Sequence, residues 1–401
     1  MKVLLVTDIP PCRNFTAGLV LEKLVKFLQS DEVVLCAVVN KALNPEISEE
    51  LKSLPRLMLE KPREAAVRLL PKQVGFLTAF SFELVQAMRT RYILLPRILA
   101  FAREQNVDAV WVVLQGQTMV RLARQIAVGL RVPLFTQVWD PFGWWLRANQ
   151  IDALTGHKLL AEFDKVIRES EACATASWSM SDDFTNKYKV RNLPVISGLS
   201  KDFARPPAMR PHDSEEFIIA MAGQFYAQTE WNCFIHTLHL AGWEIGGRRV
   251  RVRVMGGSFQ ASAQSPANFE YLGWQSQEES IRLLAESDLL YLPYWFSDEF
   301  KEESSNSFPS KLITYFAAGR PVFCHAPAYA SPAKYIAQHN AGHLCQSLDP
   351  PVVLQKLEQV LGDTATYAKF AENGSKCFLR DFTLEPMRSA FFEFLKIKNN
   401  N

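Results

Sequence analysis

The sequence predicts an α/β protein built from two Rossmann-like domains facing a cleft. Two observations carry that expectation: short apolar strands alternate with helical patterns from Lys2 onward, and the same alternation restarts at Phe217 after a proline-rich stretch. The length, 401 residues, is also more than one core commonly serves. With 48% hydrophobic and 21% charged residues, the chain is neither disordered nor a polycation, and a net charge of +2 gives no global reason to bind nucleic acid.

Lys2 to Thr7 reads as a short buried strand, followed by the loop Asp8 to Phe15. A helix is expected after Gly18, where Leu19, Leu21, Leu24, Val25 and Leu28 recur at helical spacing. Val33 to Val39 is the next strand, and strand–helix–strand at this spacing opens a parallel layout. Asp108 to Val113 and Pro133 to Val138 are further strands, separated by a helix over Met119 to Val128. Ala172 to Ala176 and Val195 to Ser197 read as the last strands of this half.

Lys201 to Glu216, with Pro206, Pro207 and Pro211, has the composition of a linker. Strands are then expected at Phe217 to Ala222, Val250 to Met255, Phe269 to Leu272, Leu289 to Pro293 and Pro321 to Cys324. Helices are expected at Glu230 to Ala241, Ser280 to Glu286 and Ser310 to Ala318, with a last one over Leu384 to Leu395. The domain reading is therefore 1–200, a linker at 201–216, a second domain at 217–380, and a C-terminal helix and tail at 381–401.

The N-terminus lacks the apolar stretch of a signal peptide, and no window has the roughly 20 apolar residues a membrane span requires. The seven cysteines are dispersed, with no CxxC pair and no His/Cys cluster at metal spacing, so no metal and no cofactor is expected. This pattern suits a reducing cytoplasm.

Ligands of open α/β sheets bind beyond the carboxyl ends of the strands, which directs attention to three loops. In the first, Thr16-Ala17-Gly18 stands at a helix start, where a glycine admits close backbone approach and the helix N-terminus favours an anion; a plain helix-entry turn fits equally. In the second, Val138-Trp139-Asp140-Pro141-Phe142-Gly143-Trp144-Trp145, a carboxylate stands among aromatics. Asp140 there either hydrogen-bonds sugar hydroxyls or caps the next turn while the rings fill an interface. The third runs from Asn306 to Val322: a turn, Pro309 near a helix start, Ser310 and Lys311 in the first turn, and a Gly319 stop before a strand. First-turn amides, the Ser310 hydroxyl and the Lys311 ammonium together suit a diphosphate, although a lone lysine on a helix is more often solvated.

The run Phe308-Pro309-Ser310-Lys311-Leu312-Ile313-Thr314-Tyr315-Phe316-Ala317-Ala318-Gly319-Arg320-Pro321-Val322 resembles a variant donor-binding segment of GT-B glycosyltransferases, of the family 4 kind, which reads F-P-S-K-L-x-x-Y-x-A-A-G-x-P-V. The stretches around Gly18, Gly223-Gln224-Phe225-Tyr226 and Met255-Gly256-Gly257 fit the same pattern over nearly the whole chain. The resemblance implies an N-terminal acceptor domain, a C-terminal nucleotide-sugar domain, and a last helix crossing back to the first domain. It implies transfer of a hexose from a nucleoside-diphosphate sugar to a glycan or lipid-linked acceptor, with retention. Donor binding would fall to Gly18, Gln224, Tyr226, Gly256, Asn306, Ser307, Phe308, Ser310, Lys311 and Thr314, with Asp140 and Lys311 in catalytic roles. The departures are specific. The family's paired glutamates fall on Asn306 and Thr314, and the Arg and Lys that follow the second-domain glycine are absent from Gly223 to Thr229. Those replacements also suit an inactive nucleotide-sugar-binding or scaffold protein of the same fold; a nucleotide-sugar epimerase would need an acid/base set that is not evident.

Lys61 to Glu104 carries Lys61, Arg63, Arg68, Lys72, Arg89, Arg91, Arg97 and Arg103 against three glutamates. Leu84, Val85, Met88, Tyr92, Leu95, Leu99 and Ala102 recur at helical spacing, with Pro96 a kink. Either this is a membrane-surface face, attaching the protein peripherally at the inner membrane, or an ordinary helix with its apolar side in the core. His325, His339 and His343 read as structural rather than ligating.

Overall fold

The computed structural model describes residues 1–64, 75–257 and 266–397. In it the run Val3–Thr7 forms β1 and is buried along its whole length. A strand buried on both faces belongs inside a covered parallel sheet. β2 (Val33–Val39), β3 (Arg56–Glu60), β4 (Ala109–Val113), β5 (Leu134–Val138), β6 (Ala172–Thr175) and β7 (Asn192–Pro194) complete that sheet in the order β3-β2-β1-β4-β5-β6-β7, parallel throughout. Around it lie α1 (Thr16–Lys26), α2 (Gly75–Arg89), α3 (Leu95–Glu104), α4 (Gln117–Leu130), α5 (Phe142–Ala148), α6 (Ala153–Arg168) and α7 (Trp178–Tyr188).

Helices α5, α6 and α7 are not among the elements the sequence reading expects, and three further details differ from it. The edge strand β3 has only Leu59 buried, so it lacks the apolar run by which buried strands are recognised. The last strand is Asn192–Pro194 rather than Val195 to Ser197; polar Asn192 and Pro194 hide it from an apolar criterion. Helix α1 begins at Thr16, ahead of Gly18, because Phe15 is already the extended residue at its entry.

The second sheet repeats the plan. β8 (Glu216–Ala222), β9 (Glu244–Ile245), β10 (Arg248–Met255), β11 (Phe269–Gly273), β12 (Leu289–Pro293), β13 (Val322–His325) and β14 (His343–Cys345) run in the order β11-β10-β8-β12-β13-β14, with β9 antiparallel on β10. Counted within its own half, this is again third-second-first-fourth-fifth-sixth, the doubly wound order. The order reverses between β8 and β12, and ligands of this architecture bind beside such a reversal. The accompanying helices are α8 (Gln228–Leu240), α9 (Gln277–Ala285), α10 (Lys301–Asn306), α11 (Ser310–Ala317), α12 (Ser331–His339), α13 (Pro350–Gly362) and α14 (Thr364–Asp381).

The chain divides into two compact units, Met1–Val195 together with Arg388–Asn401, and Ile196–Met387. The stretch 201–216 lies within the second unit and is bonded to it. Arg205 and Ala208 donate their amides to the carbonyls of Ala317 and Gly319, and the buried Asp288 carboxylate accepts from the amides of His212 and Ile218. The last helix, α15 (Leu384–Leu395), carries the chain into the first unit. There Phe391 lies 4.9 Å from the Trp111 ring of β4, and Phe394 meets Phe135 of β5 edge-on at 5.6 Å. Arg191 pairs with Glu393 at 2.8 Å. The rings, rather than the exposed ion pair, hold this segment to the sheet.

Phe391 is fully buried, so Phe391→Ala is expected to destabilise the protein by about 3–5 kcal/mol in urea unfolding, whereas Glu393→Ala costs under about 1 kcal/mol.

Candidate active site

Strand β8 ends at Gly223, and the chain there takes a positive φ of 91°. The Gly223 amide donates to the Met255 carbonyl at 2.9 Å, so the ends of β8 and β10 stay joined past the strands. This closeness accounts for Gly256: a Cβ there would fall 2.4 Å from the Gly223 carbonyl oxygen, and its φ of 146° disfavours any other residue.

Helix α11 stands over this strand end. Lys311, in its first turn, is buried rather than solvated. Its Nζ donates to the Gln224 carbonyl at 2.8 Å and sits 4.2 Å above the centre of the Tyr226 ring. Among the described residues the Lys311 ammonium has no carboxylate partner, and burial pushes its pKa down to about 7. One turn later the Tyr315 hydroxyl accepts from the Ala222 amide at 3.0 Å and donates to the Tyr291 carbonyl at 3.1 Å. Ala222 ends β8 and Tyr291 lies on β12, so a single phenol bridges the two strands that flank the reversal of strand order.

The loop after β12 is fastened to the same place. Tyr226 packs edge-on against Tyr294 at 5.9 Å and tilted against Trp295 at 4.7 Å. The Trp295 indole donates to the Tyr226 carbonyl at 3.3 Å, and buried Glu230 of α8 accepts from the Phe296 amide at 2.8 Å. The Tyr294 hydroxyl donates to the Ser307 carbonyl at 3.0 Å, as does the Ser331 hydroxyl. Ser307 is thereby fixed between α10 and α11, and it is buried. The Tyr226 hydroxyl is buried without a hydrogen-bond partner.

The structure thus gathers Gln224, Tyr226, Gly256 and Lys311 at one strand-end cluster, with Asn306 ending α10 and Ser307 just beyond it. Ser310 is exposed in the first turn of α11, and half-buried Thr314 lies one turn further along that helix. Pro309, not Ser310, is the residue capping α11, and it makes no side-chain cap bond. Phe308 is placed elsewhere: its ring stacks on Phe382 and meets Tyr335 edge-on, both at 5.7 Å. Glu230, Tyr294, Trp295 and Tyr315 were not singled out by the sequence. Only Tyr315, inside the motif itself, carried a signal that could have revealed its part.

Gly18 and Asp140 belong to the first unit. A Cβ on Gly18 would fall 2.2 Å from Cys12 Sγ and 2.9 Å from the Cys12 carbonyl oxygen, so the close approach this glycine allows is made by the protein's own loop. The glycine therefore has a packing reason of its own. Asp140 is exposed and lines, with Gln115, Gly116, Trp139 and Trp144, a shallow depression beyond β4 and β5. The N-cap position of α5 is the next residue, Pro141. Phe142 and Trp145 stack on one another at 5.8 Å and Phe142 stacks on Phe163 at 5.0 Å, so these two rings serve the core of their own unit. The N-terminus of α4 is already occupied. Glu64 accepts from the Thr118 amide at 2.7 Å and pairs with Lys61, which also reaches Asp8 at 2.9 Å.

His325 is fully buried, hydrogen-bonded at one nitrogen to the Tyr291 hydroxyl (2.9 Å) and at the other to the Ser347 carbonyl (2.7 Å), and burial pushes it down to about 4. It is a structural histidine. His339 packs on the Tyr335 ring and His343 on Phe370. Among the described residues no group of His, Cys, Asp and Glu is placed to hold a metal ion.

No protein-family model matches this chain, and no curated protein matches it. Solved structures do. HepE of Anabaena in complex with UDP is 13% identical with a TM-score of 0.65, over 99% of this chain and 100% of that one. The same protein is also known with UDP-glucose. Sucrose-phosphate synthase from Thermosynechococcus elongatus is 11% identical with a TM-score of 0.68, over 99% and 98%. The lipopolysaccharide outer core galactosyltransferase WaaB is 10% identical with a TM-score of 0.63, over 99% of each chain. At these identities the likeness concerns the fold, which is GT-B.

Tyr315→Phe removes a hydroxyl bonded on both sides and leaves the buried Ala222 amide unpaired. The expected cost is about 1–3 kcal/mol in urea unfolding.

Proposed function

We propose that the protein is a glycosyltransferase of the family 4 kind, moving a hexose from a nucleoside-diphosphate sugar to a glycan or lipid-linked acceptor with retention of configuration. The observation that carries this reading is the tethering of Lys311 at the carboxyl end of β8, beside the reversal of strand order. The GT-B fold and the UDP and UDP-glucose held by HepE support it.

In this reading the diphosphate lies against the first turn of α11. An ammonium carries three donors, and the Gln224 carbonyl takes one, leaving the others for phosphate oxygens. As the bond between the anomeric carbon and the diphosphate oxygen breaks, its electron pair departs onto the diphosphate. Lys311, the Ser310 hydroxyl and the first-turn amides oppose that charge. The acceptor oxygen bonds to the anomeric carbon from the same face, and its proton passes to the leaving diphosphate. No protein nucleophile is needed; what the chain supplies is placement and a low-dielectric cation. Asn306 offers an amide to the sugar hydroxyls, and Asp140 orients sugar or acceptor. The first domain, 1–200, would receive the acceptor, and 217–380 the donor.

Asn306 and Thr314, standing where the family has glutamates, favour a second reading: a nucleotide-sugar-binding or scaffold protein without turnover. A panel of nucleoside-diphosphate sugars, assayed for nucleotide release with and without acceptor glycans, separates the two. Release that Lys311→Ala abolishes supports the transferase, and tight binding without release supports the scaffold.

Lys311→Ala is expected to weaken nucleoside-diphosphate binding by about 1.5–3 kcal/mol in calorimetry, and unchanged affinity would remove Lys311 from the site. The affinity is also expected to depend on pH. In the free protein the lysine loses its proton near pH 7, and a bound diphosphate favours the charged form and so raises its pKa. Binding is then insensitive to pH below 7. Above 7 it takes up a proton and weakens by up to about tenfold per pH unit, until the pKa of the bound state is passed. A nucleotide sugar titrated between pH 6 and 9 checks this, with Lys311→Ala giving a flat profile.

A further inference from the structure

Helix α2 is amphipathic in the opposite sense to a helix that meets only water. At 3.6 residues per turn, Leu77, Ser81, Leu84, Val85 and Met88 fall within an arc of about 100°, and all are exposed. Ala79, Glu83, Gln86 and Thr90 occupy the opposite arc and are buried. Neither Glu83 carboxylate oxygen has a hydrogen-bond partner, and Arg121 Nη2 is 3.9 Å away. The polar face is turned inward and the apolar face outward, which corrects the expectation of an apolar side in the core for this helix.

The outward face continues beyond α2. A π-helical turn over Thr90–Leu94 buries Thr90 and Leu94 while leaving Tyr92 69% and Ile93 53% exposed; Val85, before it, is 58% exposed. Helical backbone runs unbroken from α2 through the π turn into α3, and Pro96 stands in the first turn of α3, just past that irregularity. Arg89, Arg91 and Arg97 stand along the same stretch, and none of them is ion-paired among the described residues. From Gly75 to Arg103 the single acidic residue is Glu83, which is buried. Arg68 and Lys72 of the basic segment lie outside the described residues.

We propose that the face formed by α2, the π turn and the start of α3 docks on an anionic lipid surface. Leaving Leu77, Leu84, Val85, Met88, Tyr92 and Ile93 in water forgoes burial that each would gain in an acyl boundary. The unpaired guanidinium groups beside them complement lipid phosphates. A second copy of the same face would set one row of arginines against another, which disfavours self-association through it. No helix among the described residues is long and apolar enough to cross a membrane, so the contact lies in the interface. The exposed Tyr92 ring, apolar with a polar tip, suits headgroup depth.

Sedimentation of the full chain with vesicles of phosphatidylcholine containing about one third phosphatidylglycerol tests this. The protein is expected to bind these vesicles, and to bind pure phosphatidylcholine at least about tenfold more weakly. Arg89→Glu/Arg91→Glu/Arg97→Glu is expected to lower partitioning by about a hundredfold or more, and raising salt well above about 0.1 M weakens binding of the unmodified protein. Leu84→Glu/Met88→Glu tests the apolar half and is expected to lose binding. All five positions are outside the core, and an unchanged circular dichroism spectrum and urea midpoint show that the variants fold. Three results would overturn the proposal: no vesicle binding, equal binding by the folded variants, or a concentration-dependent dimer in sedimentation velocity that Leu84→Glu/Met88→Glu abolishes. The last would assign the face to a second copy.

Discussion

A buried lysine amine resting on a main-chain carbonyl and an aromatic face organises the second unit. Withdrawing an ammonium from water is costly, and one neutral hydrogen bond with a ring beneath it returns only part of that cost, which is why the group is held so close to neutrality. The position survives because α11 is fastened twice over. Lys311 ties it to the loop after β8, and Tyr315 ties it to the end of β8 and to β12 together. Gly223, Tyr226 and the segment around Trp295 are then set by what α11 permits. A cation kept dry and partly unsatisfied is well disposed toward an anion that arrives with its own charge.

The two units share one strand order and differ in what occupies their strand ends. In the first, a helix N-terminus faces Glu64 from the same chain, and Lys61 with Asp8 completes an internal network. In the second, the corresponding chemistry is a helix beginning with an exposed serine and a buried lysine, without a carboxylate partner for that lysine among the described residues. Equal topology therefore does not mean equal chemistry. Gly18 and Gly256 make the same point at single-residue scale: both are required by close approach, yet in each case the approaching atoms are the protein's own, a cysteine loop at Gly18 and the Gly223 carbonyl at Gly256.

The inverted helix α2 shows why periodicity can locate a helix and still misplace its face. Leu84, Val85 and Met88 have the spacing of a core stripe, and spacing alone does not distinguish a stripe facing protein from one facing outward. Glu83 and Gln86, read along the chain, resemble the solvated side of such a helix; only their burial against the first unit reveals the reversal.

What the amino-acid order determined by itself is the alternation of buried strands with helices, its restart after the proline-rich stretch, and the segment from Phe308 to Val322. Such features are local, because a strand buried on both faces must be an apolar run and a helix entered at proline must begin with certain residues. The edge strand β3 and the polar strand β7 escaped for the same reason, since a half-exposed strand need not be apolar. Tertiary structure alone decided that Lys311 turns inward onto Gln224, that Phe308 turns away to Phe382, that Gly18 is covered by Cys12, and that α2 shows its leucines to the outside. Each of those outcomes depends on which distant segment fills the neighbouring space, and that information is carried by packing between elements far apart in the chain rather than by the pattern within any one of them.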